Sequence, residues 1–175
     1  MKKLCWLLIL VLVIGCFAGC QQAPKGPIEN EDGTLADWMK EEIDQAHQKR
    51  INVQYEENGW SEEYTGTLSW YEPKNASYGN VLYLGTYGGY VMFVYEELPM
   101  NAWYEKEIAG FTFAFPTIRE LQAYKEGQFY VLEDLYMQGV LNNEAIELAH
   151  NHYVSVFSSA AWFAERFPSE QNGSN

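Results

Sequence analysis

Apolar residues change their period along the chain, and each change predicts a different kind of element. From Leu4 the run "LCWLLILVLVI" is continuously apolar and follows Met1, Lys2 and Lys3. Further on, Leu35, Trp38, Met39, Ile43 and Ala46 recur at helical spacing, which predicts a helix from about Leu35 to Lys49 with an acidic outer face. Thr34, with Asp37 three places on, gives it a capping-box-like start. The period then shortens to two. "EYTGTLSWYE" alternates, and "VLYLGTYGGYVMFVYEE" is two strand-like runs around Gly88-Gly89, a dipeptide suited to the positive φ angles of a two-residue hairpin. "YEKEIAGFTFAFP" and "LQAYKEGQFYVL" predict further hairpins turning at Ala109-Gly110 and Glu126-Gly127. Such short connections make the sheet antiparallel, with about four to six strands. From Leu132 the helical period returns: a short helix stopped by Gly139, with Val140 or Leu141 folding back on Leu135 or Tyr136, then a helix capped by Asn142, and a third over residues 154–167. The fold class expected is α+β, an antiparallel sheet with an N-terminal helix and two or three C-terminal helices.

The charged start and the apolar run make a secretory n-region and h-region. The run to Cys20 reaches only the lower end of the roughly 20 residues a spanning helix needs, so a signal peptide is favoured over a stable anchor helix. It ends in "VIGCFAGCQQ", and no cysteine follows Cys20. Both "VIGC" and "FAGC" resemble the lipobox of bacterial lipoprotein precursors. That resemblance implies lipidation of a cysteine that becomes the mature N-terminus, and with it attachment to the extracytoplasmic face of the cell membrane. Small Ala18 and Gly19 before it, and the polar, proline-containing segment after it, favour Cys20; Cys16 is the alternative, because Val13 suits the aliphatic position better than Phe17. The organisation expected is a signal peptide over 1–19, a lipidated cysteine and flexible tether over 20–33, one globular domain over 34–168 and a disordered tail over 169–175. The stretch from "LYLGTYGGYV" to "FYVLEDLYMQGVLNNEAIELA" is similar to a small domain of secreted and lipid-anchored proteins of Gram-positive bacteria, which implies a fold and a surface location but no activity.

Composition narrows the partners. The chain carries a net charge of −13, and without Lys2 and Lys3 nine Lys and Arg face 24 Asp and Glu. Such a surface repels phosphate backbones, so nucleic acid is not an expected partner. With no cysteine after Cys20 there is no disulfide framework, and stability must come from burial, for which an aromatic content of 16% supplies material.

Candidate chemistry is sparse. No G-x-S-x-G or S-x-x-K motif marks a nucleophile, and any triad would have to be assembled in space from His47, His150 or His152. His150 and His152 stand two apart, a spacing that points them to different sides of a helix rather than at one metal ion. The acidic pairs Glu41-Glu42, Glu62-Glu63 and Glu96-Glu97 read as solvated surface, since adjacency cannot set the carboxylate separation of a glycosidase. "GTYGGY" lacks the helix and lysine of a phosphate loop and reads as a hairpin. No metal or cofactor is expected. What remains is aromatic excess on both faces of the strands, which requires cover on both sides or an exposed platform. The expected function is a membrane-anchored binding or protein-interaction module for a glycan, peptide or protein, with Tyr83, Tyr87, Tyr90 and Trp103 as candidate ligand-binding residues. A small cell-wall hydrolase is the alternative.

Overall fold

The structure is a computed structural model, and it describes residues 25–71, 79–96, 103–117 and 119–168. The order of elements is helix α1 (Asp37–Glu57), strands β1 (Val81–Tyr87), β2 (Tyr90–Tyr95), β3 (Tyr104–Ile108), β4 (Phe111–Phe115), β5 (Glu120–Lys125) and β6 (Gln128–Val131), then helices α2 (Leu132–Met137), α3 (Asn143–Phe157) and α4 (Ala161–Arg166). Strands β1-β2-β5-β6 form one antiparallel sheet in that order, and β3-β4 form a separate two-stranded sheet. This is the expected α+β architecture, with the six strands divided between two sheets.

The four-stranded sheet is the middle layer, and its period-two alternation feeds two cores. Val81, Val91, Phe93 and Tyr124 pack with Leu35, Met39 and Ile43 of the α1 layer. Leu82, Leu84, Met92, Val94, Leu121 and Ala123 face the other way, against Phe113 and Phe115 of β4 and Ile146, Ala149 and Tyr153 of α3. Helices therefore cover both faces, which accounts for most of the aromatic excess.

All three hairpins turn where the sequence places them, with positive φ at Gly88-Gly89, Ala109-Gly110 and Glu126-Gly127. Gly139, at φ 71°, ends α2 as expected. The Val140 amide donates to Leu135 O at 2.9 Å and the Gly139 amide to Tyr136 O at 2.9 Å, the paired bonds that close a left-handed helix stop. Of the two apolar residues that follow, Leu141 is buried beside Leu135 whereas Val140 stays exposed. The Asn142 side chain then accepts from the Ala145 amide at 3.1 Å and caps α3.

Five expectations need correction. Helix α1 starts at Asp37 and continues to Glu57, past Lys49. Thr34 is not its cap, because its amide and hydroxyl are held by Asp32 Oδ1 at 3.1 and 2.6 Å. Helix α3 runs unbroken through Val154 to Phe157, and the break before the last helix lies at residues 158–160. "EYTGTLSWYE" is not a strand over its described residues; it makes a single parallel bridge, Trp70 to Val81. Its backbone is satisfied instead by one polar row of α1: Asp44 accepts from the Leu68 amide, Gln48 donates to Gly66 O, and Asn52 both donates to and accepts from Tyr64. That row also explains why α1 extends, since its last turns are held by this segment as well as by an apolar stripe. Finally, residues 25–33, read as tether, lie against the domain: Ile28 packs on the α1-side core, and Glu29 bridges to Leu35.

Candidate functional site

The exposed edge of β1 and the outer side of α3 frame a cleft of about 380 Å³. The turn over residues 30–35 and the first turns of α1 form one wall; Trp70, Tyr71 and Tyr83 give it aromatic surface; His152 and Ser155 of α3 form the other wall. The site is thus built by four separate stretches of sequence, one of them the sheet edge itself.

Several polar groups at its β1 side are committed to one another. Glu29 accepts a close hydrogen bond from the Tyr83 hydroxyl and another from the Thr86 amide at 3.2 Å. With the tyrosine proton given to Glu29, Tyr83 Oη accepts from Thr86 Oγ1 at 2.7 Å. Burial, and then the Glu29 bond and charge, push the Tyr83 hydroxyl far above its ordinary range, so it remains a neutral donor. The His152 ring stands edge-on to Tyr83 with centroids 5.8 Å apart. Burial lowers its pKa from the ordinary 6.5, outweighing the attraction of Glu29. Ser155 donates to the His152 main-chain carbonyl at 2.7 Å, so its hydroxyl proton is not presented to the imidazole.

Only Tyr83 of the four expected ligand-binding aromatics lines this cleft. Tyr87 ties the first hairpin to the start of α3, donating to Glu144 at 3.0 Å and accepting from Asn142 at 2.9 Å. Tyr90 packs edge-on to Tyr130 beneath the Lys125 ammonium. Trp103 is 52% exposed, but it leans on Trp162 of α4 under the Arg166 guanidinium. The four rings have different partners and do not make one platform. Sequence reasoning missed Glu29, Trp70 and Ser155, and weighed His152 only as a triad or metal candidate, away from the ligand site. For Glu29 the signal was hidden, since "ENEDG" has the composition of a linker. Cys16 and Cys20 lie outside the described residues.

The three histidines are separated. The His150 ring bonds Thr112 O through Nε2 at 3.2 Å and is wedged between Phe111, Phe113 and Tyr153. His152 points to the opposite side of the same helix, as the two-residue spacing predicts. The buried His47 ring accepts from Arg50 Nη2 at Nδ1, 3.3 Å away, which leaves the proton on Nε2 to reach Tyr95 Oη at 3.4 Å. Burial and then the Arg50 charge lower its pKa, against Asp44. A nucleophile, base and carboxylate do not converge at His47, His150 or His152 among the described interactions, and no group of three potential metal ligands occurs among the described residues.

These two lowered histidines set an acid limit. Below the ordinary pKa of 6.5 the unfolded chain binds protons that His47 and His152 in the fold refuse. Stability is therefore fully present above about pH 7 and falls as pH drops through 6.5 towards the folded values, by at most about 1.4 kcal/mol per pH unit per histidine. Urea unfolding at pH 7.5 and 5.5 should show the loss, and a combined His47→Gln and His152→Gln variant should flatten it; a stability that rises on acidification would refute the assignment.

Comparison with protein-family models, with curated proteins and with solved structures finds no match for this chain.

Proposed function

We propose that the protein is a lipoprotein held at the extracytoplasmic face of the membrane through Cys20, and that its folded domain is a binding module taking an uncharged glycan or short peptide in the cleft at the β1 edge. The observation that carries the binding reading is the cleft itself: aromatic walls beside a Tyr83 hydroxyl given to Glu29 and a Ser155 hydroxyl given to a main-chain carbonyl, with no nucleophile turned towards a base. Rings of Trp and Tyr offer flat stacking surface with a polar tip, the combination that suits a sugar face or a peptide backbone. The "FAGC" sequence and the absence of later cysteines support the anchor.

Both halves are tested together. Cys20→Ser should abolish retention in the membrane fraction while Cys16→Ser leaves it, and a mature chain whose intact mass begins at Cys16 would move the anchor. The cleft is tested by titrating the full chain in detergent with N-acetylglucosamine oligomers and, separately, with uncharged peptides. Ser155→Arg, at an exposed position lining the cleft, should weaken whichever probe binds by about tenfold or more. Equal affinity of Ser155→Arg and the parent protein would remove the cleft from the binding reading.

A further inference from the structure

We propose that the groove between α1 and β6 is a second docking surface, which takes an extended acidic segment of a partner protein as an added strand on β6. Strand β6 is the last of the four-stranded sheet, so one of its edges has no neighbouring strand among the described residues. The two-residue turn at Glu126-Gly127 closes on the pair Lys125–Gln128, and the next pair, Tyr124–Phe129, is of the type that exchanges no ladder bonds. The amide and carbonyl of Phe129 consequently point outward, where an incoming strand would meet them. Beside this edge lies a groove of about 660 Å³ walled by Ala46, Lys49, Arg50 and Val53 of α1 and by Gln128 and Phe129 of β6. Val53, 46% exposed, supplies apolar contact surface along it.

Charge identifies the occupant. In a chain of net charge −13, Lys25, Lys40, Lys106, Arg119 and Arg166 are each paired with a carboxylate. Lys49 and Arg50 have no carboxylate partner among the described residues, they are adjacent, and no acidic residue lines their groove. Arg50 lies 4.4 Å over the Phe129 ring, spends one N–H on neutral His47, and its buried Nε–H finds no acceptor. A locally cationic strip along a free strand edge, on a protein that repels anions elsewhere, selects an extended segment carrying carboxylates at alternate positions.

The probe is a fluorescein-labelled peptide of alternating Glu and Val, read by fluorescence anisotropy with the full chain in non-ionic detergent. Saturable binding is expected, weakened by ~0.5 M salt. It should be lost when the amides on one edge of the peptide are N-methylated, because the added strand then cannot pair. Lys49→Glu, at an exposed position, should weaken binding about tenfold or more with an unchanged melting temperature. Arg50→Gln should do the same, and because its stacking on Phe129 supports the fold, Lys49→Glu is the decisive variant. No saturable binding, or equal affinity of the parent protein and Lys49→Glu, would overturn the proposal. A concentration-dependent dimer that Lys49→Glu disperses, without peptide binding, would overturn it in favour of a second copy of this chain.

Discussion

Replacing Tyr153 by phenylalanine is expected to destabilise the fold by about 2 kcal/mol or more, although the ring stays in place. Among the described residues strand β4 pairs only with β3, and its register, Ile108–Phe111 next to the turn and Glu105–Ala114 further on, makes Ala114 one of the residues whose amide and carbonyl face away from the partner strand. Both groups are buried, and both are met by one hydroxyl: Tyr153 Oη donates to Ala114 O at 2.8 Å and accepts from the Ala114 amide at 3.1 Å. Two residues back on the same edge, His150 bonds Thr112 O. Helix α3 thus seals the free edge of the β3-β4 hairpin with side chains three residues apart, a polar closure that keeps the edge from pairing elsewhere. Removing the hydroxyl strands two buried backbone groups, each costing about 1–3 kcal/mol. Tyr153→Ala adds a cavity amid Phe113, Phe115, Phe157 and Phe163 and is expected to cost about 3–5 kcal/mol for the ring alone. Urea unfolding of the three proteins at neutral pH gives the comparison. A Tyr153→Phe variant as stable as the parent would mean that the edge is satisfied by something other than this hydroxyl.

The features legible in the sequence were those encoded locally. A glycine in the second position of a two-residue turn, an asparagine before a helical period and a glycine followed by apolar residues each fix a conformation within a few residues. The hairpins, the Asn142 cap and the Gly139 stop followed from such signals, and the three-layer arrangement followed from strands apolar on both faces. What escaped was encoded at a distance. The Asp44, Gln48 and Asn52 row has the look of a solvated helix face until residues 64–68 are laid against it. Alternation in "SWYE" signals a strand only when a sheet offers it a full edge. The cleft fared similarly. Tyr83 was visible as an aromatic in a strand, whereas Glu29, more than 50 residues away, becomes meaningful only once its carboxylate is seen receiving the Tyr83 proton. Histidine spacing carried more information than histidine identity, since α3 sends His150 to the hairpin edge and His152 to the cleft.

Gly85→Ala is expected to lower stability by roughly 2–4 kcal/mol and to disturb the cleft as well. Strand β1 shifts register between Tyr83 and Gly85, so that Tyr83 pairs with Phe93 and Gly85 with Met92, and the inserted Leu84 bends the strand where α3 crosses it. Gly85 sits at φ 108°, a conformation that costs another residue about 1–3 kcal/mol. A Cβ there would stand 3.0 Å from Leu148 Cγ, 3.1 Å from its Cδ2 and 3.7 Å from His152 Cδ2. Overpacking of this kind adds about 1–3 kcal/mol when the neighbour must move. Leu148 and His152 are one turn apart on α3, so pushing the helix outward carries His152 away from Tyr83 and widens the cleft between them. The two contributions separate in a double-mutant cycle with Leu148→Ala. If the contact matters, Gly85→Ala should cost less in the Leu148→Ala background than in the parent, and the residual loss should reflect the backbone alone. Thermal unfolding gives the stability terms, and titration of the cleft probe gives the functional one. A Gly85→Ala protein with unchanged stability would show that the bulge accepts a side chain and that α3 does not rest on this glycine.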